Sequence, residues 1–576
     1  MFLKTVSIIC FIINNHGIAF FSLLLLILFV SSFSLYLLSL HFGIYAQVGR
    51  EPLSFLNNND CIKYDSGQNI ISITCSSANL TDINNKIRNP DILKKAEVSS
   101  TRSDWLLNAA IVIKKDAMLY INSTDTSWLK IIAPDGRGGE EDSLAKANGI
   151  EVFGSLKIDS VKISSWDLLT NNYAEHEGKR ILEDTEYEVY LGSPRPFISV
   201  EGEATGTTDI TNSEIAYLGY EGGVGGGPVV GLTYFGGDGS IIRNNNIHHL
   251  YFAFYSNGVG NITIENNRIH HNGQYGIDPH TGSHDIIIRN NIVYDNVGQG
   301  IICSLDCFNI IIEGNKVYEN EGAGIMFSRN MHDSIARNNT VFDETECIFI
   351  SDSHRNQIYN NTVTRCSIGG LYLKAGSTDN ILYKNIIMDS EKGIVVSNGS
   401  SNNKFYNNTI VSDSTQLAIS SDDDDNYGKV SDRKSNYNLN NNTFVDNKQV
   451  KGPEVTIKYP AFGQKVLPDN LTVYGTSLHN DTTSCQVAVL LNDEEPYQNA
   501  VATGPKGNDD YSKWTFSFDS HYSVIREGAN EITSKITCQS EWNKKGINPT
   551  SYDKIIVITI NPEKRDNNYN LTKSRP

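Results

Sequence analysis

Eight asparagines, Asn245, Asn267, Asn291, Asn315, Asn339, Asn361, Asn385 and Asn408, recur at spacings of 22, 24, 24, 24, 22, 24 and 23 residues. A repeat of this kind decides the fold, because a unit so short cannot bury its own apolar face and must stack on its neighbours. A second column keeps the same period: Gly276, Gly300, Gly324, Gly370 and Gly393 are each followed by Ile or Leu. Between the columns lie short apolar runs such as Ile286-Ile287-Ile288 and Ile310-Ile311-Ile312. Runs of this length, rich in β-branched residues and punctuated by Asn and Gly, read as strands and turns. About three strands per period, in coils stacked about 4.8 Å apart, predict a right-handed parallel β-helix. A leucine-rich repeat is excluded because its Leu-x-x-Leu-x-Leu frame is missing. The repeated Asn is expected at a turn that tolerates left-handed dihedrals, with its amide hydrogen-bonding up the stack.

The fold class is therefore mainly β, and the chain divides around the repeat. Residues 1–46 hold a long apolar stretch, with Leu23 to Leu28 all aliphatic. Such a run can cross a bilayer or serve as a signal peptide cut after Ala46, and either reading exports the rest of the chain to the cell surface or beyond. Residues 51–100 read as an N-terminal cap, 101–450 as the β-helix and 453–562 as an Ig-like β-sandwich with short alternating strands such as Val487-Ala488-Val489 and Trp514-Thr515-Phe516. The polar tail 563–576 is expected to be disordered. Export permits disulfides. Cys61 with Cys75 and Cys485 with Cys538 are plausible bridges at the two ends, while Cys303, Cys307, Cys347 and Cys366 fall in the middle. None of the nine cysteines shows the CxxC spacing of structural zinc. No cofactor motif stands out; the run Asp422–Asp425 reads as a solvated loop, with calcium as the alternative. The pairs His248-His249 and His270-His271 recur one coil apart, and polar turn residues are a simpler account of them than a stacked metal site.

In a parallel β-helix the outward side chains of successive strands form columns, and the columns make a groove suited to a linear polymer. Positions two and four residues past each Gly of the second column share one face. They carry Asp278 and His280, then Ile302 and Ser304, Met326 and Ser328, Phe349 and Ser351, and Tyr372 and Lys374, with Tyr255 and Asn257 on the coil before. Arg329 closes the strand two coils beyond His280. Pro279, between Asp278 and His280, lacks an amide donor and needs a local reason inside a ladder.

The hexapeptide Tyr275-Gly276-Ile277-Asp278-Pro279-His280 resembles the YG(I/F)DPH signature of alginate-modifying mannuronan C5-epimerases. The likeness continues through Gly300-Ile301-Ile302-Cys303-Ser304 and Gly324-Ile325-Met326-Phe327-Ser328-Arg329-Asn330, and upstream through Ser164-Ser165-Trp166-Asp167 and Arg195-Pro196-Phe197-Ile198. It covers about residues 100–410. The resemblance implies action on polymeric mannuronate, with the His as base, the Asp beside it, and an Arg pairing with the sugar carboxylate. Three positions depart from the family: Thr281 stands where an acidic residue is usual, Leu305 where periplasmic members carry an Arg, and Ser304 where calcium-dependent members have an Asp.

Epimerising a uronate removes the C5 proton next to a carboxylate and returns one to the opposite face. The added charge needs a positioned cation, and Arg suits it through its bidentate fork. Imidazole is a base near neutrality. The expected assignment is His280 as base, Asp278 beside it, Tyr275 or water as proton donor, and Arg329 neutralising the carboxylate; Lys374, Asn257, Tyr255, Ser304 and Tyr372 are expected to line the polymer. A polyuronate lyase shares this first step, and a noncatalytic glycan-binding surface is the alternative from a different class. The formal charge of −18 argues against a nucleic-acid partner. It leaves a polyanionic substrate open, because the local field of the groove governs binding.

Overall fold

The computed structural model describes residues 60–97, 103–133, 147–175, 179–181, 188–190, 194–220, 230–397, 399–412, 441–467, 471–479, 484–518, 525–539 and 548–559. The expected leader 1–46, the run Asp422–Asp425 and the tail 563–576 lie outside them. Among the described residues no helix is long and apolar enough to cross a membrane.

Each coil contributes three short strands. One coil is Ile277–His280, Ile287–Arg289 and Ile292–Tyr294; the next is Ile301–Ser304, Ile311–Glu313 and Lys316–Tyr318. Every strand pairs in parallel with its counterpart one coil on, for example Ile287↔Ile311 and Ile292↔Lys316, which makes the domain a parallel β-helix. The two three-residue strands of a coil each point their middle residue in: Ile264, Ile288, Ile312 and Ala336 form one such buried column, and Ile269, Val293, Val317 and Val341 another, while the four-residue strand buries two, such as Ile301 and Cys303.

The Asn column holds the corner between two of these ladders, though not by the dihedral expected. The left-handed residue is the one before it: Asn244, Asn266, Asn290, Gly314, Asn338 and Asn360 have φ of 54–67°. The column Asn then turns inward. Asn315 donates from Nδ2 to the Ile288 carbonyl (2.9 Å) and to Asn339 Oδ1 (3.0 Å), while its own Oδ1 accepts from the backbone N–H and the Nδ2 of Asn291. Amides buried this way satisfy backbone groups that the corner takes out of the ladders. The Gly column has a different cause: a Cβ on Gly276 would lie 2.5 Å from the Gly300 carbonyl oxygen, so successive coils approach too closely there for any side chain.

The apolar interior is covered near the chain's start by the helix Leu80–Ile87. Asn79 caps its N-terminus in a reciprocal box with Asp82, and Leu80 and Ile83 are buried. Disulfides join Cys61 to Cys75 and Cys347 to Cys366 within the β-helix, and Cys485 to Cys538 beyond it. After Lys451 the chain forms a four-stranded and a five-stranded sheet around a separate core that includes Val473, Val487, Trp514, Ile536 and Val557. Asp389 Oδ2 accepts from both the N–H (3.0 Å) and the hydroxyl (2.8 Å) of Thr550, tying this unit to the β-helix.

Candidate functional site

The strand Ile277–His280 pairs with Phe252–Asn257 below, with Tyr255 beside Asp278 and Asn257 beside His280. Above, Ile277 pairs with Ile301 and His280 with Ser304, and the ladder skips the two residues between. Pro279 explains the gap, since it has no N–H to give. Its carbonyl accepts instead from the buried Cys307 thiol at 3.3 Å.

Thr281, Leu305, Arg329, Asp352 and Ala375 end this strand on successive coils, all with φ between 43° and 66°. That turn sends Arg329 back along the groove. Its Nε donates to Ser304 Oγ (2.8 Å) and its Nη2 to His280 Nε2 (3.1 Å). A guanidinium can only donate, so Nε2 accepts and carries the lone pair. The proton of the neutral imidazole is then on Nδ1, donated to Thr281 Oγ1 at 2.5 Å. Burial first, and the Arg329 charge second, hold His280 down at about 4, so the ring is neutral near pH 7.

Asp278 is not on an open ridge. It is 1 % exposed, with Tyr255 beside it on the neighbouring strand. Burial raises it well above the usual carboxylate range, against the pull of Arg329, and its Oδ1 has no hydrogen-bond partner. Burial thus favours the protonated form of Asp278, and it is Thr281 that holds the His280 proton. Tyr255 packs its ring 5.6 Å from His280, and Tyr275 packs against Phe252 at 5.2 Å. Burial, with Asp278 adding to it, raises both phenols, which keeps them protonated.

His280, Asp278, Tyr275, Tyr255, Asn257, Ser304 and Arg329 therefore converge on one stretch of groove. Tyr372 and Lys374 do not. Tyr372 stacks on Phe349 (5.1 Å) in the same column, and Lys374 follows Ser304, Ser328 and Ser351 in the row of His280, four coils on. Four coils are about 19 Å at the spacing of paired strands. Two contributors escaped the sequence: Thr281, and the aromatic patch of Phe235, Tyr251 and Phe252 around Tyr255. The sequence marked Thr281 as a departure from the family's acidic residue, and gave no sign of its bond to His280. Among the described residues no three His, Cys, Asp or Glu side chains converge on a metal position.

Residues 206–446 match the family described as Periplasmic copper-binding protein (NosD), which is less than half of the chain. Among solved structures the chain is similar to the periplasmic alginate epimerase AlgG, at 20 % identity and TM-score 0.51, over 66 % of this chain and 85 % of that one. It also matches the A-module of a mannuronan C-5 epimerase from Azotobacter vinelandii, at 14 % identity and TM-score 0.42, over 60 % of this chain and 88 % of that one. No curated protein matches. The likeness to the periplasmic epimerase supports the β-helix as the shared fold.

Proposed function

We propose that this chain is an exported polysaccharide-modifying enzyme that inverts C5 of a polymeric uronate, mannuronate to guluronate, within a right-handed β-helix. The observation that carries the reading is the His280–Arg329 contact, in which a guanidinium covers the lone pair of an imidazole that burial keeps neutral. A uronate carboxylate that takes Arg329 uncovers Nε2 beside the carbon to be deprotonated. Arg329 and Ser304 then face the carboxylate where charge builds, a placement that stabilises the transition state more than the ground state. Burial disfavours a negative charge on Asp278 beside it. Tyr275, kept protonated, or water returns the proton from the other face. The resemblance to mannuronan C5-epimerases asks for an Arg at position 305; Arg329 holds the equivalent left-handed turn one coil on and reaches back. Export is supported by the apolar leader and by the match to a family described as periplasmic. The C-terminal two-sheet unit is read as an Ig-like spacer.

The test is deuterium uptake. Polymannuronate incubated with the protein in D2O is expected to gain deuterium at C5 and guluronate signals in the proton NMR spectrum, and His280→Ala to abolish both. Unsaturated chain ends would reassign the site to a lyase. No exchange by the folded wild-type protein would refute catalysis on this polymer.

A further inference from the structure

The outer face of the four-stranded sheet in the C-terminal unit carries side chains that neither the core nor the candidate site uses. Its strands lie in the order Glu454–Tyr459, Thr472–Leu478, Lys513–Ser517 and Val501–Ala502. Val455, Ile457, Val473, Trp514 and Phe516 point into the core, so the residues alternating with them point out. Cross-strand pairing sets the outward residues in rows. One row is Tyr459, Tyr474, Thr515 and Val501. The next is Thr456, Thr476 and Lys513. Tyr474 is 49 % exposed and Val501 62 %, so the first row stands open to solvent.

That row has the shape of a slot. Tyr459 and Tyr474 stack at 5.1 Å and within 11° of parallel, which takes one face of Tyr474 and leaves the other. The free face looks across Thr515 toward Val501. Thr515 is short, and its hydroxyl is turned to the Val473 carbonyl at 3.2 Å, so it makes a floor and not a plug. Tyr474 and Val501 are two strand spacings apart, about 9.6 Å. A flat ring placed over Thr515 would continue the stack, one spacing from each wall. A pyranose ring fits there, because its faces are lined by C–H bonds and the face of a tyrosine ring is negative. At one end of the slot the hydroxyls of Thr472 and Ser517 meet at 2.9 Å. At the other is Lys513, two residues along the strand from Thr515, about 6.8 Å.

Charge selects the kind of sugar. Lys513 and the exposed Lys458 have no ion-pair partner among the described residues. Glu454, the acid among the outward residues of these strands, is held by Lys451 at 3.0 Å. The face is therefore locally positive on a chain whose formal charge is −18. We propose that it is a second binding site for an acidic polysaccharide, with a uronate ring seated over Thr515 between Tyr474 and Val501 and a carboxylate at Lys513. That the polymer is the polyuronate of the reaction rests on the proposed function above; the slot and its charge do not. A second copy of the chain fits worse, since a twofold contact through this face would set its lysines against one another. Two sites on one polymer raise the effective concentration of substrate at the groove, so the unit does more than space it.

The test is affinity electrophoresis of the full chain through gels containing polymannuronate, in an Arg329→Gln background that weakens the groove. Retardation is expected to persist there. Adding Tyr474→Ala should weaken it at least fivefold, and adding Lys513→Gln about threefold with a shallower dependence on NaCl. A neutral β-1,4-glucan gel should retard the protein less, with no effect of Lys513→Gln. A folded Tyr474→Ala variant retarded as strongly as its parent overturns the site, and equal retardation by the neutral glucan overturns the acidic ligand. Tyr474-dependent sedimentation with phosphatidylglycerol vesicles, without retardation by the polymer, overturns the proposal in favour of a membrane surface. Tyr474-dependent retardation of a wild-type protein that shows no deuterium exchange would refute the proposed catalysis and leave this site standing. Exchange by the wild type, with retardation indifferent to both substitutions, removes this site alone.

Discussion

At the scale of single residues, the two neighbours of His280 do opposite things to it. Thr281 fixes the tautomer and Arg329 lowers the affinity for a proton. Since the depressed value is about 4, the acid limb of kcat/KM should fall near pH 4 and the profile should be flat from pH 5 to 7. Arg329→Gln removes one of the two depressing causes and leaves burial. Its limb should move upward, short of the ordinary imidazole value, while turnover drops by orders of magnitude; an unmoved limb would show that Nε2 is not the titrating base. Thr281→Val should lower kcat about tenfold, the worth of one hydrogen bond to a group that becomes charged, with KM nearly unchanged and Thr281→Ser restoring the rate. The hexapeptide Tyr275–His280 could be found in the sequence because alternate strand residues share a face. The Thr281 bond could not, because it depends on a β-branched residue at φ 43°, which no periodicity announces. The depth of Asp278 was hidden for a related reason: the strand pattern gives direction, while exposure depends on the neighbouring side chains.

At the scale of the coil, the Asn column was legible because its period survives small changes in loop length. Two further Asn columns were not singled out, since other residues interrupt them. Asn356, Asn380, Asn403 and Asn442 form one, with Ser334 at its lower end. Asn272, Asn296 and Asn320 form the other, and Glu344 takes the next place, accepting from Asn320 Nδ2 at 2.8 Å. The Cys347–Cys366 bridge was missed too, because sequence spacing cannot tell which side chains meet on adjacent coils. Asn315→Ala would strip partners from the Asn291 N–H and the Ile288 carbonyl at once. At about 1–3 kcal/mol for each buried group left unpaired, the loss should exceed about 2 kcal/mol by denaturant unfolding. Burial raises Glu344 to about 8, so the folded state keeps a proton that the unfolded chain releases near its ordinary value of 4.5. Stability should therefore be highest below the ordinary value and fall as pH rises through about 8. Glu344→Gln should flatten that dependence, and unchanged curvature in the variant would place its origin elsewhere.

At the scale of the whole molecule, a chain with a formal charge of −18 is proposed to process a polyanion. The row beside His280 resolves the tension by distance. It is Ser304, Ser328 and Ser351, with Lys374 at its far end, so this row offers no continuous basic track to counter the long-range field. The stacked, mainly β character of the molecule could be read from composition and period, whereas this separation of near and far electrostatics required the columns to be placed. Arg329 acts at contact range and the net charge acts from afar. Salt separates the two, because the screening length shrinks from about 30 Å at 0.01 M to about 8 Å at 0.15 M while a contact pair is screened much less. Raising NaCl over that range should increase kcat/KM on a long polyuronate several-fold, through faster encounter, and leave kcat unchanged. A basic-groove enzyme would show the reverse. A monotonic fall of kcat/KM with salt would mean that the polymer follows a positive track elsewhere on the surface, and that the serine row is not its path.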